Sequence, residues 1–332
     1  MKAIGVENYG PVDRLEAREV PKPTDLQPRD LLVRIKGVTV NPVDTKVRNG
    51  TYDDYPDYYD RVPRPFQITG YDASGIVEAT GSQCSLFNVG DEVYYSGSPI
   101  RQGSNAEYQL VDERSVGRKP KSLDFVESAA MPLTYITAYE ALVERMEIRK
   151  GEQAALLIIN GAGGVGAMAT QIARVVLDLP VVITTASRPE TIQFTKDMGA
   201  THVVNHREDV ASQIEKLNLE VPLKPVHGHV CSGLRAVRQG LLDRPRPSQD
   251  VWNRVHVEVV DPYHKVDVES HHRILEELTD MIDAGKIKCH LTKRLKLTLD
   301  GVKKGHELLQ SGGSIGKVGL GVDEPGPGEI FT

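Results

Sequence analysis

The sequence predicts an α/β chain: a small β-barrel first, then a doubly wound parallel sheet. Three observations carry this. Residues up to about Val116 run as short alternating strands broken by Gly and Pro, and strands and helices alternate from Ala154 onward. One of those strands also passes through a glycine turn straight into an apolar-faced helix. At 332 residues the chain is too long for one ordinary core and fits two domains. A net charge of -6, with no basic arm or aromatic-interleaved patch, argues against a nucleic-acid partner. No run reaches the ~20 apolar residues that span a bilayer, and the start lacks the apolar core of a signal peptide. A soluble, intracellular, cytoplasmic protein is therefore expected.

In chain order, Leu31 to Ile35, Ser74 to Ala79 and Glu92 to Tyr95 read as barrel strands. The texture turns helical around Glu127, with Ser128 to Met131 and then Tyr135 to Glu147 before Gly151. Ala154 to Ile159 is an apolar strand, and Val165, Ala169, Ile172, Ala173 and Val176 follow the glycine turn at helical spacing. Val181 to Thr185 and Thr201 to Asn205 are further strands, alternating with helices over Pro189 to Met198 and Asp209 to Leu217. Near the end, His271 to Ala284 is a helix stopped by Gly285, Leu291 to Leu299 is strand-like, Leu299 to Gln310 is a short helix and Gly316 to Val322 a closing strand. The expected partition is 1–125 for the barrel domain, 126–268 for the α/β domain, 269–322 for a segment returning to the barrel, and 323–332 for a mobile tail.

The turn Asn160-Gly161-Ala162-Gly163-Gly164-Val165-Gly166 carries the function. Gly161, Gly163 and Gly166 have the G-x-G-x-x-G spacing. In it one glycine turns the chain tightly, one lets backbone approach a pyrophosphate, and one lets helix pack on strand. With Gly164 and Val165 they form the expected cofactor-binding stretch. Enzymes preferring NAD place an acid about 20 residues further on to accept from the ribose 2′-OH. This chain has Thr185-Ala186-Ser187-Arg188 there, and Arg188 offers a fork suited to a 2′-phosphate. NADPH is the predicted cofactor, bound through Ser187 and Arg188. The competing reading is a capping box of Ser187 with Glu190, leaving Arg188 a solvated charge.

Several motifs together resemble the medium-chain dehydrogenase/reductase superfamily, in its zinc-free quinone-oxidoreductase-like branch. They are Asn41-Pro42-Val43-Asp44-Thr45-Lys46, Gly70-Tyr71-Asp72-Ala73-Ser74-Gly75, Gly90-Asp91-Glu92-Val93, Ala106-Glu107-Tyr108, Met131 to Tyr139 and the glycine turn. The resemblance implies a chaperonin-10-like barrel and a Rossmann domain, with the active site between them. It also implies that Asn41 lies near the nicotinamide, that Lys46 and Tyr52 line the substrate cleft, that Thr137 contacts the nicotinamide side of the cofactor, and that His206 is a second candidate near the 2′-phosphate. Tyr52 could donate a proton to the product and Lys46 could stabilise its charge. Equally, Asn41-Pro42 is a good turn starter, Lys46 a solvated charge, and Tyr52 part of a tyrosine-rich lid.

Zinc relatives place a Cys before the barrel turn that here reads Asn41-Pro42-Val43-Asp44 and a His in the segment that here reads Gly70-Tyr71-Asp72. Neither offers a soft ligand, and three cysteines, Cys84, Cys231 and Cys289, cannot form a four-cysteine site. His271 and His272 fall on opposite sides of a helix, a poor chelate expected on a solvated face. No metal is therefore expected, and the substrate must carry its own electron sink. A quinone or an α,β-unsaturated carbonyl does so, because arriving hydride leaves a delocalised anion. Two further readings stay open: an enoyl reductase of a fatty-acid or polyketide pathway, and an inactive relative that binds NADPH weakly.

The resemblance breaks over 225–262. Pro225-Val226 runs at once into His227-Gly228-His229-Val230-Cys231-Ser232, followed by an Arg- and Pro-rich stretch without apolar period. This reads as an internal deletion or a stretch in the wrong frame. The fourth strand and its helix are expected to be missing, the Rossmann sheet incomplete, and the family's homodimer edge in question.

Overall fold

The computed structural model describes residues 1–51, 61–226 and 269–322. Tyr52, most of the atypical stretch and the tail after Val322 lie outside the described residues. The described chain divides into one unit formed by residues up to 133 and from 269 onward, and a second formed by residues 134–226.

The first unit begins with β1 (Lys2–Val6), β2 (Glu16–Glu19), β3 (Asp30–Val40), α1 (Pro42–Arg48), β4 (Gln67–Ile68) and β5 (Asp72–Thr80). It continues with β6 (Glu92–Ser96), β7 (Tyr108–Asp112), β8 (Val116–Arg118) and the short helix α2 (Phe125–Ala129). The helix α3 (Pro132–Tyr139) leads out of it. β3 is the spine of this unit. All its residues except Arg34 and Lys36 are buried, which is why its sequence is nearly continuous in Leu, Val and Ile instead of alternating. It pairs antiparallel with β5 along most of its length and with β7 over Asp30 to Arg34. Register shifts between Leu32 and Val33 and between Ile35 and Gly37 let it bend from one partner towards another. Leu31, Val33, Ile35, Val38 and Val40 enter a core with Ala73, Val77, Val93, Tyr95 and Val111. Each aliphatic side chain so removed from water contributes about 1.5–3 kcal/mol.

The second unit has β9 (Ala155–Ile158), α4 (Gly164–Gln171), β10 (Val181–Thr185), α5 (Pro189–Asp197), β11 (His202–Val204), α6 (Val210–Lys216) and β12 (Leu223–Val226). Its sheet is parallel throughout, in the order β11-β10-β9-β12. The strand order reverses beside β9, the strand that leads into the glycine turn, and open parallel sheets bind ligands at such a reversal. The expectation that the fourth strand is missing is corrected here, because β12 pairs with β9 from Leu223 opposite Ala155 to Val226 opposite Ile158. Pro225 disguises it, since proline cannot donate to a ladder. The strand tolerates it because, among the described residues, β12 has a neighbour on one side only.

The first unit is completed by α7 (Ser270–Asp283), β13 (Leu291–Lys296), α8 (Leu299–Gln310) and β14 (Lys317–Gly321). β14 runs antiparallel to the second half of β3, with Val318 opposite Val40, and parallel to β13. In α7 the structure overturns the solvated reading of the two histidines. His271 is buried on the face that carries Ile274, Leu275, Leu278 and Ile282. Half-buried His272 sets Nδ1 2.7 Å from the Val116 carbonyl and packs edge-on against Phe87.

α1 starts where β3 ends. Asn41 is its extended N-cap, Pro42 supplies a preset φ at the first position, and the Asp44 side chain reaches back to accept the Asn41 backbone N–H at 2.5 Å. Asp44 is buried, and its other oxygen, Oδ1, has no hydrogen-bond partner. Burial pushes its carboxyl up to about 7, with nearby Asp72 adding to the rise; the Asn41 N–H and the Lys317 charge pull the other way. An unfolded aspartate titrates near about 3.9, so the folded chain holds this proton more tightly. The resulting stabilisation is full below about pH 4 and is lost as pH rises through about 7.

Two predictions follow from this architecture. The stability advantage of the wild type over Asp44→Asn, measured by denaturant unfolding, should shrink as pH rises from about 4 to about 7, by at most roughly 1.4 kcal/mol per unit. Parallel profiles would refute the buried titration. For Gly166→Ala, the added Cβ would sit 2.2 Å from the Asn160 carbonyl oxygen and 2.8 Å from Gly161 Cα, both backbone. A loss of about 1–3 kcal/mol is expected in thermal or denaturant unfolding.

Candidate active site

In the second unit the chain leaves β9 through Asn160, which takes the left-handed conformation at φ 58°. Its backbone N–H donates to Thr185 Oγ1 at 2.8 Å, tying the turn to the end of β10. The residue that turns the chain is thus asparagine, not the first glycine of the motif; Asn is among the few side chains that tolerate this region. Gly161 serves close approach instead, because a Cβ there would lie 2.5 Å from Thr184 Cβ. Gly163 is the N-cap of α4, and Gly166 lets the first turn of the helix pack on the Asn160 carbonyl. Gly163, Gly164 and Val165 are half-buried. The first N–H groups of α4 have no helical carbonyl to receive them, and they point from the positive end of the helix dipole, a setting suited to a pyrophosphate.

At the ends of β10 and β11 the structure brings Ser187 and His206 together, Ser187 Oγ lying 3.4 Å from His206 Nε2. Arg188, next in the chain, is the N-cap of α5. Its backbone N–H donates to Thr191 Oγ1 at 3.1 Å, and its guanidinium pairs with Glu190 at 3.1 Å. The competing capping box of Ser187 with Glu190 is therefore corrected: the cap lies one residue later, and Glu190 faces the arginine. Exposed His206 is held below its ordinary range by partial desolvation and by neighbouring Arg207, so an anion placed here would favour its protonation. Exposed Arg207 is a basic side chain beside this group that sequence reading missed. Its adjacency to His206 was the available signal. Thr137 is buried within α3.

In the first unit, Asn41 is fully buried and its carboxamide is engaged at both ends. Nδ2 donates to Asp72 Oδ2 at 2.7 Å, and Oδ1 accepts from Lys317 Nζ at 2.5 Å. Asp72 Oδ2 also accepts from Lys317 Nζ at 2.9 Å and from Thr39 Oγ1 at 2.8 Å, while its Oδ1 accepts the Leu133 backbone N–H at 2.9 Å. Asp72 and Lys317 are almost wholly removed from water. His290, whose carbonyl accepts the Lys317 backbone N–H, is held down to about 3 by burial and by the lysine charge. It is therefore neutral at physiological pH. Lys46 projects from α1 as an exposed side chain, while Tyr52 lies outside the described residues. Lys317 escaped the sequence reading, although a single lysine within the apolar closing strand Lys317-Val318-Gly319-Leu320 was a visible anomaly.

The donor set can be tested against zinc. Three protein ligands are needed, with thiolate or imidazole favoured. Asn41 and Asp72 are already engaged with one another and with Lys317, and an ammonium lies where a dication would meet the carboxylate. Burial pushes the Cys289 thiol up to about 12, so it stays protonated. Among the described residues no three of His, Cys, Asp or Glu are grouped to hold a metal. The described residues around this network do not fit a zinc ion.

Comparison with known proteins agrees with this two-part organisation. Residues 27–121 match the alcohol dehydrogenase GroES-like domain family, and residues 164–226 match the family described as zinc-binding dehydrogenase. A zinc-type alcohol dehydrogenase-like protein of Staphylococcus epidermidis is 35% identical over 346 residues, covering 96% of this chain and 98% of its own. That alignment is longer than the chain's 332 residues and so must open gaps in it. The 2-methylene-furan-3-one reductase of Solanum lycopersicum is 31% identical, covering 96% of this chain and 78% of its own. Among solved structures, the quinone oxidoreductase of Coxiella burnetii superposes with a TM-score of 0.75 at 26% identity, covering 97% of this chain and 99% of its own. By its GroES-like and nucleotide-binding parts and by relatives that match it end to end, the chain belongs to the medium-chain dehydrogenase/reductase superfamily, in the quinone-oxidoreductase-like branch.

Proposed function

We propose that this oxidoreductase uses NADPH to reduce quinones or α,β-unsaturated carbonyls, and that it does so without a metal ion. The observation that carries the reading is the Asn41–Asp72–Lys317 network, whose polar atoms are spent on one another and leave no ligands for a Lewis acid. A plain ketone would need such an acid to hold its developing alkoxide. A conjugated acceptor spreads the incoming charge over its own π-system. The names of the tomato and Coxiella relatives, a furanone reductase and a quinone oxidoreductase, are in keeping with that substrate class.

In this reading the N–H groups at Gly164, Val165 and Gly166 hold the pyrophosphate, while Ser187, Arg188 and His206 hold the 2′-phosphate. Bound NADPH supplies hydride. The family resemblance assigns Thr137 to the nicotinamide side of the cofactor and Asn41 to the surroundings of the nicotinamide. Lys46 stabilises the product oxyanion by its charge, and Tyr52 delivers the proton.

Steady-state kinetics test the proposal with a quinone, an enone and the matching saturated ketone. Turnover of both conjugated acceptors should exceed that of the ketone by at least about a hundredfold, unchanged by prior dialysis against a strong chelator. Equal turnover of the ketone, or loss of activity with the chelator, would overturn it. For the cofactor, Arg188→Asp should raise the KM for NADPH at least tenfold, with a smaller change for NADH, since a charge-assisted fork to phosphate is lost and a repulsion added. Equal changes for the two cofactors would remove Arg188 from the site.

A further inference from the structure

We infer that Lys317 is the resident cation of this centre, a positioning residue whose ammonium orients the Asn41 carboxamide against Asp72 and thereby fixes the start of α1. The argument begins with the chemistry of the three groups. An ammonium can only donate, an ionised carboxylate can only accept, and a carboxamide does one at each end. With Lys317 Nζ 2.5 Å from Asn41 Oδ1 and Asp72 Oδ2 2.7 Å from Asn41 Nδ2, only one of the two amide orientations is satisfied. The flipped amide would set NH2 against NH3⁺ and a carbonyl against a carboxylate. Lys317 also contacts Asp72 itself at 2.9 Å, closing a triangle of three buried side chains. Its Nζ lies 3.4 Å from the carbonyl of Val40, the last residue of β3. The ammonium therefore touches the end of β3, the N-cap of α1 and the start of β5 at once. These are the points that fix where α1 starts, and α1 carries Lys46, which in the proposed function stabilises the charge of the product.

The inference rests on the reductase reading only for its kinetic readout. Lys317→Met keeps the length of the side chain and removes the charge, leaving Asp72 buried without its cation. A fall in Tm by several degrees and a loss of kcat of about tenfold or more are expected, with KM for NADPH changed by less than about threefold. The double variant Lys317→Met with Asp72→Asn removes both charges, so Tm should recover most of the difference. The Leu133 N–H, which donates to Oδ1 at position 72, keeps the oxygen of the introduced amide on its own side and turns the NH2 towards Asn41, so the native orientation is not restored and kcat should stay low. Recovery of Tm and kcat together would reduce Lys317 to charge neutralisation and overturn the positioning role, as would unchanged Tm and kcat in the single variant.

A third measurement needs no variant to fold. In the wild type, the side-chain NH2 signal of Asn41, followed by ¹H–¹⁵N NMR, should be protected from hydrogen exchange as strongly as the core amides of β3. Free exchange of that signal would sink the inference. If the wild type shows no reductase activity, the reductase reading fails on its own, while the Tm values and the NMR signal still decide the role of Lys317.

Discussion

One buried carboxylate organises the first unit. Asp72 receives Thr39 from the end of β3, Asn41 from the helix cap, Lys317 from the closing strand and a backbone N–H from the start of α3. A charge taken out of water is tolerable only when its lone pairs are met in full, and losing one partner of a buried pair typically destabilises by about 3–5 kcal/mol. The four donors come from three places in the chain: the junction of β3 with α1, the closing strand and the start of α3. The carboxylate therefore acts as a geometric specification, since any misplaced segment leaves a donor or a charge unpaired in the core.

The nucleotide half obeys a different constraint, that of space. Asn160 bends the chain, Gly161 slides beneath β10 and Gly166 lets α4 settle onto the turn. What emerges is backbone, with little side chain to obstruct a ligand, and the basic residues of the site stand one strand further on. Ser187 and His206 converge because β10 and β11 run parallel in adjacent positions, ending side by side. The arrangement of this half is thus set by sheet order and helix polarity, whereas that of the first unit is set by a closed set of polar partners.

Much of this was legible in the residues. The apolar runs at Leu31 to Ile35 and Ala154 to Ile159 gave β3 and β9, because burial on both faces leaves a continuous apolar signature. The glycine spacing located the nucleotide turn, although asparagine, which also tolerates the left-handed region, took the part assigned to the first glycine. His271 could have been placed correctly, since it shares the helical stripe of Ile274, Leu275 and Leu278. β12 was hidden by a proline. Lys317 was hidden by distance: its place in an apolar strand marked it as unusual, but its partner Asp72 is 245 residues away, and nothing local names the buried acid it meets.

That separation has a consequence for synthesis. The described strands of the second unit are all complete by Val226 and pair with one another, so they can assemble while the chain is still emerging from the ribosome. The acid at position 72 must wait, unneutralised, until β14 has been translated and threaded beside β3. Until then Asp72 and Asn41 have no cation to close on. A chain stopped short of Lys317 would hold the described strands of the second unit already paired, while the first unit lacked both its closing strand and the cation of Asp72.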